Sequence, residues 1–294
     1  MSKTTEEVYR VNERKNYRIH KRPVILERGA HNGYVYGACA ESDIVVSSDI
    51  GIRRDRNEDS FAIIPKNNEI IIIDGIGGHL GGEEAAELIA ETCTSPHKIH
   101  VSLLNRLTDA HYNIHELSKR IGGQPGAVIG AIKIKQGLLT AYHTGDVRIY
   151  IFNQKRNLTH ITKDRSQVQE LIDIGEINDE SGFSFHNIIT SAIGIPGPMD
   201  INDMIVAITP RTQFTKYGRI LRSPYQCFRS AALAPGDRWL VADDGLHEYV
   251  PHVDICQAMK KADIKDASKE FMAKAIQAGC PDNITFAIGE YIGS

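Results

Sequence analysis

The stretch that constrains the fold most strongly is Glu69-Ile70-Ile71-Ile72-Ile73-Asp74-Gly75-Ile76-Gly77-Gly78-His79. Four consecutive isoleucines are typical of a strand that is buried on both faces. The glycines after Asp74 suit a tight turn, because glycine adopts conformations that other residues avoid. A carboxylate therefore stands at the end of a buried strand, a position suited to a metal ligand.

Other segments carry the same pattern. The apolar run 238–242 leads into Asp243-Asp244-Gly245, the run 141–144 is followed by Asp146, and Asp282 precedes the strand-like run 284–288. Taken singly, each aspartate is an ordinary turn residue, since Asp hydrogen-bonds to its own backbone and Gly tolerates positive φ. Together they indicate that the aspartate side chains meet at one site, provided that their strands end at the same edge of a sandwich.

Converging carboxylates would need a counter-charge. Several of them in a partly dry site repel one another, and the remedy is either a raised pKa or a bound cation. Oxygen ligands without His or Cys select hard ions such as Mg²⁺ or Mn²⁺.

The composition excludes several classes of protein. The chain has 294 residues, 41% hydrophobic residues and a formal net charge of −3, so it can bury a substantial core but has no general attraction for nucleic acid or membranes. Its five cysteines are scattered without a Cys-x-x-Cys pair, which favours reduced thiols in a cytoplasmic protein. No apolar stretch approaches the ~20 residues of a membrane span, and the first residues lack a signal-peptide pattern.

The periodicity predicts an α+β fold of two packed antiparallel sheets with helices outside. Residues 1–40 are read as an extension outside the core, and 41–294 as the folded domain. Within that domain, 195–233 is a basic, flap-like surface excursion that is too long for an ordinary loop. Helices are predicted over 83–92, 101–120, 166–175 and 255–278, and strand-like runs fill much of the remainder.

Arg54 suggests the kind of substrate. A guanidinium presents a planar fork of donors that matches two phosphate oxygens, so an arginine beside a carboxylate-bound cation indicates phosphoryl chemistry. A surface salt bridge is an equally good explanation by spacing alone, because Arg53, Arg54 and Arg56 crowd together with Asp55 and Asp59.

Seven motifs in order then point to a family. They are Ser48-Asp49-Ile50-Gly51 to Arg54-Asp55-Arg56-Asn57-Glu58-Asp59, Asp74-Gly75-Ile76-Gly77-Gly78-His79, Gly145-Asp146-Val147-Arg148, Leu158-Thr159 to Thr162-Lys163-Asp164, Ser191-Ala192-Ile193-Gly194, Ala242-Asp243-Asp244-Gly245-Leu246 and Pro281-Asp282-Asn283-Ile284-Thr285. From about residue 44 onward, the chain resembles the bacterial-type members of the metal-dependent protein phosphatase family, type 2C.

The resemblance implies a four-layer αββα sandwich with two, or three, Mn²⁺ or Mg²⁺ ions at one end. Asp74, the Gly75 carbonyl, Asp244 and Asp282 match metal ligands, and Asp146 with Asp244 matches a weaker third site. Arg54 matches the phosphate-binding arginine. Asp59 is expected as a metal ligand and catalytic residue that orients bound water, with Glu58 beside it.

The implied activity is hydrolysis of phosphoserine and phosphothreonine in proteins by a metal-bridged water or hydroxide, without a covalent phosphoenzyme. The expected partners are a phosphoprotein substrate and a serine/threonine kinase or its targets, and we expect a monomer. Two alternatives stay open: an inactive, phosphatase-like regulatory module that binds a phosphoprotein or kinase, and a hydrolase of small phosphoesters. Asp243, where relatives usually have Ser or Thr, would either add charge to the cluster or face solvent.

Overall fold

The strands of the computed structural model form two antiparallel sheets. The structure describes residues 9–10, 26–28, 32–77, 81–153, 157–178, 188–195, 205–206 and 230–293. The first sheet has the order β1-β5-β6-β7-β8-β11, with β12 also paired to β8, and the second has the order β10-β9-β13-β14-β4-β3-β2. The strands are β1 (Tyr9–Arg10), β2 (Leu26–Arg28), β3 (Asn32–Ala38), β4 (Ser42–Asp49), β5 (Ser60–Ile64), β6 (Glu69–Ile76), β7 (Gly126–Lys135), β8 (Leu138–His143), β9 (Arg148–Asn153), β10 (Asn157–His160), β11 (Ile205–Val206), β12 (Ser230–Ala232), β13 (Arg238–Ala242) and β14 (Ile284–Tyr291).

Helices cover the outer face of each sheet. They are α1 (Gly82–Thr94), α2 (Leu103–Ile121), α3 (Gln167–Ile174), α4 (Asp244–His247), α5 (His252–Ala258) and α6 (Ile264–Gln277). Helices α1 and α2 pack on the first sheet, and α5 and α6 pack on the second. The predicted four-layer α+β sandwich is therefore confirmed.

The isoleucine run of β6 shows why the chain folds in layers. Ile70 and Ile72 point into the core between the two sheets, whereas Ile71 and Ile73 point at the helices α1 and α2. All four side chains are fully buried. A strand covered on both faces reads as a continuous apolar run, as the sequence indicated.

Two boundaries differ from the prediction. Strand β3 pairs with β4, and Val35 is buried, so residues 32–38 belong to the second sheet and not to an extension outside the core. The predicted helix 255–278 is two helices, α5 and α6. Asp263 accepts a hydrogen bond from the Lys265 amide and so starts a new helix inside the predicted one. Most of the predicted excursion 195–233 lies outside the described residues.

Candidate metal centre

The register of the second sheet brings remote acidic segments to one edge. Ala242, the last residue of β13, lies opposite Phe286 of β14 on one side and Arg148 of β9 on the other. Asp244 lies two residues after Ala242, Asp282 lies two residues before the start of β14, and Asp146 lies two residues before the start of β9. These three aspartates therefore lie at the same end of the sheet. The strands are antiparallel, which is why one acid comes after its strand and the other two before theirs.

Asp74 reaches the same end from the first sheet. It lies near the end of β6, opposite Val128 of β7. Burial raises the pKa of Asp74 well above its usual value, and the negative charges of Asp59, Asp244, Asp146 and Asp282 raise it further. The structure therefore brings together the carboxylates that the sequence singled out.

Gly75 permits close packing at the end of β6. A Cβ atom built on Gly75 would lie 2.5 Å from the carbonyl oxygens of both Glu58 and Gly82. Only a residue without a side chain fits between these two backbone segments. Glu58 itself lies against the start of α1, because a Cβ built on Gly82 would be 2.5 Å from its Oε2 atom. A carboxylate in that place is stabilised by the positive end of the helix dipole.

Asp59 is held by hydrogen bonds from the second sheet. Its Oδ2 accepts a hydrogen bond of 2.7 Å from the Thr285 hydroxyl, and its carboxyl group also contacts that of Asp243. Burial raises the pKa of Asp59 to about 6, and these hydrogen bonds offset part of that increase. Nothing in the sequence around Thr285 indicated this contact, because the two residues are 226 positions apart.

Asp243 lies inside the molecule, not on its surface. It is 1% exposed and accepts hydrogen bonds from the backbone amides of Leu246 and Thr285. It thereby caps the N-terminus of α4 and fixes the direction of Asp244, the first residue of that helix. Burial raises the pKa of Asp243 well above its usual value, as do the charges of Asp59, Asp244 and Asp74. Of the two possibilities left open for Asp243, the structure excludes a side chain that faces solvent and places the carboxyl group at the cluster.

Asp146 and Asp244 form a second pair within the cluster. Burial raises the pKa of Asp146 to about 6. Burial also raises the pKa of Asp244 well above its usual value, and among the charges that add to this effect Asp146 comes first. The backbone carbonyl of Asp146 lies 2.9 Å from Nε2 of His247, whose own pKa is lowered by burial. The sequence motifs predict no role for His247.

Arg54 lies at the exposed rim. Its Nη2 atom is 2.6 Å from Oδ2 of Asp282, and the two side chains are 46% and 34% exposed. The hydrogen bond to Asp282 raises the pKa of Arg54, while partial burial opposes this. Spacing alone left two explanations of Arg54, a surface salt bridge and phosphate binding beside a cation site. The structure is compatible with both, because Arg54 forms an ion pair and its partner is a predicted metal ligand.

Asn283 anchors the segment that carries Arg54, Glu58 and Asp59. Its Nδ2 donates to the carbonyl oxygens of Ile50 and Arg56, both at 2.9 Å, and its Oδ1 accepts a hydrogen bond of 2.8 Å from the Glu58 amide. In the sequence Asn283 lies inside one of the seven motifs, where no role is predicted for it. Its position directly after Asp282 was the available signal.

The donor set suits hard divalent cations. It consists mainly of carboxylate oxygens. Burial and nearby negative charges raise the pKa values of Asp59, Asp74, Asp146 and Asp244, so a cation among them would relieve both effects. Within the described part of the chain, no three His, Cys, Asp or Glu side chains form a group that could hold a metal ion alone. Mg²⁺ fits this arrangement, because it usually keeps several waters and takes only one or two carboxylates from the protein.

Comparisons with known proteins agree with this geometry. The chain is 28% identical over 262 residues to the serine/threonine phosphatase Stp of Listeria welshimeri, covering 83% of this chain and 93% of the relative. It is 25% identical over 253 residues to the serine/threonine protein phosphatase PstP of Mycobacterium tuberculosis, covering 83% of this chain and 44% of the relative. No family model matches the chain.

Solved structures show the same fold. The serine/threonine phosphatase PstP/Ppp of Mycobacterium tuberculosis superimposes with a TM-score of 0.67 and 25% identity over 86% of this chain and 99% of that chain. A second structure, of the PstP catalytic domain in complex with two manganese ions, gives a TM-score of 0.64 at 24% identity, covering 86% of this chain and 99% of that one. In sequence and in fold, the chain is thus similar to the bacterial-type members of the metal-dependent type 2C phosphatase family.

Proposed function

We propose that this chain hydrolyses phosphoserine and phosphothreonine in protein substrates, with two divalent cations held at the end of the sandwich. The observation that carries the proposal is the convergence of Asp74, Asp244 and Asp282, which come from three remote segments, beside the exposed guanidinium of Arg54. When bound, a pair of Mn²⁺ or Mg²⁺ ions supplies a nucleophile near neutral pH and neutralises charge on the phosphoryl group.

The chain's own residues divide the remaining tasks. Asp74, the Gly75 carbonyl, Asp244 and Asp282 are the proposed ligands of the cation pair, and Asp146 serves a third, weaker site with Asp244. Asp59 is the proposed catalytic carboxylate, held in place by Thr285 and Asp243. These two contacts fix its orientation before substrate arrives, which lowers the cost of ordering the site.

Arg54 is the proposed phosphate-binding residue. Its guanidinium is about half exposed, so a phosphate monoester can reach it from solvent. A dianionic phosphate offers two oxygens to the guanidinium fork, whereas Asp282 is bound through one oxygen. A substrate phosphate could therefore replace Asp282 as the partner of Arg54, and the Asp282 carboxylate would then be free to bind a cation.

The activity can be tested directly with three substrates. A phosphothreonine peptide, para-nitrophenyl phosphate and glucose 6-phosphate are each assayed with Mn²⁺ and with EDTA. We expect Mn²⁺-dependent hydrolysis of the peptide and the aryl phosphate, with the sugar phosphate hydrolysed poorly. Preference for the sugar phosphate would favour a hydrolase of small phosphoesters, and no hydrolysis of any substrate with Mn²⁺ would favour an inactive regulatory module.

A matched pair of variants tests the role of Arg54. Arg54→Ala should lower kcat/KM for the phosphopeptide by about 100-fold, the usual effect of removing one donor that stabilises charge in the transition state. Arg53→Ala, the neighbouring exposed arginine, should leave kcat/KM within about twofold, as is usual for surface substitutions. Equal effects of the two substitutions would remove Arg54 from the site.

The partners follow from the substrate class. Phosphoproteins are the proposed substrates, and a serine/threonine kinase or its targets are the proposed cellular partners. Among the described residues no helix is long and apolar enough to cross a membrane. We propose a monomer, which size-exclusion chromatography with light scattering would check.

A further inference from the structure

His247 links the two chain segments that carry Asp146 and Asp244. It is the last residue of α4, three positions after Asp244, and it is 8% exposed. Its Nε2 atom lies 2.9 Å from the backbone carbonyl oxygen of Asp146, 101 positions away in the chain. The side chain therefore links the segment that carries Asp244 directly to the backbone of Asp146.

The hydrogen bond fixes the form of the imidazole. A carbonyl oxygen can only accept, so Nε2 must carry the proton and donate. The other ring nitrogen, Nδ1, is buried and has no hydrogen-bond partner among the described atoms. His247 thus makes a single polar contact through its side chain, and this contact is to a residue of the proposed third cation site.

The backbone around Asp146 is held from two further directions. The Gly145 carbonyl accepts a hydrogen bond of 2.7 Å from the Arg165 amide, and the Thr144 amide donates to the Ile129 carbonyl at 2.9 Å. These contacts tie the turn to the first sheet and to the segment after β10. The pairing of β9 with β13 places Arg148 opposite Ala242 and brings the two segments near each other, and the bond from His247 then joins α4 itself to the Asp146 backbone.

The distance between the two segments matters because their carboxylates repel each other. Asp146 is the first of the charges that raise the pKa of Asp244, so the two carboxyl groups are close enough to interact. Residues that orient metal ligands through hydrogen bonds typically change metal affinity by 10–100-fold when they are removed. A buried neutral donor can hold the two segments together without adding charge to the site.

We propose that His247 is a positioning residue that sets the separation of Asp146 and Asp244 and thereby the affinity of the third, weaker cation site. The inference rests on the proposed function, because it assumes that these aspartates hold a cation. It adds a residue to which neither the sequence motifs nor the comparisons assign a role.

Three substitutions separate positioning from simple packing. His247→Leu keeps a buried side chain of similar size but loses the donor. His247→Gln keeps a donor at the end of the side chain, close to where Nε2 lies, whereas His247→Asn places its amide near the position of Nδ1. His252→Leu, an exposed histidine in the next helix, is the matched control.

The readout is Mn²⁺ binding to chelator-treated protein, followed by electron paramagnetic resonance of free Mn²⁺. We expect His247→Leu to weaken the low-affinity site by about 10-fold or more and to leave the tight pair within about threefold. His247→Gln should restore most of the lost affinity, His247→Asn should not, and His252→Leu should bind like the unmodified chain.

Two results would overturn the inference. One is unchanged weak-site affinity in His247→Leu; the other is an equal loss at tight and weak sites together with a lower melting temperature, which would show a packing role alone. Failure of the proposed function looks different, since the unmodified protein would then bind no Mn²⁺ and hydrolyse no phosphopeptide.

Discussion

Replacing Asn283 with alanine should loosen the segment that carries Arg54, Glu58 and Asp59. The substitution removes three hydrogen bonds, two of 2.9 Å to backbone carbonyls and one of 2.8 Å from the Glu58 amide. Each such bond contributes about 1 kcal/mol net, and water can reach part of this exposed segment. The expected loss in the free energy of unfolding is therefore about 2–3 kcal/mol.

The loss can be measured by thermal unfolding followed by circular dichroism. For a chain of this size 1 kcal/mol corresponds to about 2–4 °C, so the melting temperature should fall by about 4–12 °C. The kcat/KM for a phosphopeptide should fall as well, because Arg54 is no longer fixed. Asn105→Ala, on the exposed face of α2, is the control and should change stability by less than about 0.5 kcal/mol. Equal melting temperatures for the two variants would refute the role of Asn283 as an anchor.

Three further predictions concern the cluster itself. Mn²⁺ at about 100 times its dissociation constant should add about 2.7 kcal/mol to the free energy of unfolding and so raise the melting temperature by about 5–10 °C. Asp74→Asn should make that rise smaller. An unchanged melting curve for the unmodified chain would contradict a preformed site. Gly75→Ala should cost about 1–3 kcal/mol, measured by urea unfolding, because its Cβ would meet two carbonyl oxygens at 2.5 Å; an unchanged midpoint would contradict the close packing. Burial raises the pKa of Asp59 and of Asp146 to about 6, above the unfolded value of 3.8, so these carboxyl groups destabilise the metal-free protein as pH rises from about 4 to 6, whereas buried His143, with its pKa lowered to about 4, acts in the opposite direction. The change in unfolding free energy from pH 4 to pH 6 should therefore be less favourable in the unmodified chain than in Asp59→Asn, and identical changes in the two proteins would contradict it.

Local sequence pattern predicted the elements on which the site is built. The isoleucine run of β6 and the apolar run of β13 read as buried strands, because side chains on both of their faces pack against neighbours. The same local pattern identified the aspartates at the ends of those strands as candidate metal ligands. Their mutual effect on the pKa of Asp74 agrees with the repulsion expected from convergence.

Contacts that depend on register could not be read from the sequence. Thr285 reaches Asp59 because β14 pairs with β4, with Thr285 opposite Ser48, and no local feature encodes that pairing. Asp243 resembled an ordinary turn residue, but its two hydrogen bonds from backbone amides place it inside the molecule. His247 carried no signal, since its partner is the backbone of Asp146 and any residue supplies a carbonyl there.

The missed boundaries have similar causes. Strand β3 contains two glycines and two tyrosines and follows a highly charged segment, so it lacks the apolar run that marks β6. It is a strand because β4 offers a paired edge, with Val35 buried opposite Val46. The break between α5 and α6 is marked by Asp263, whose capping role depends on the local backbone and not on periodicity.

The central claim is that Asp74, Asp244 and Asp282 together hold a pair of divalent cations. The most direct test is anomalous diffraction at the manganese edge from crystals grown with Mn²⁺. We expect two strong manganese peaks among these three carboxylates. Peaks only elsewhere on the molecule, or none at millimolar Mn²⁺, would contradict it.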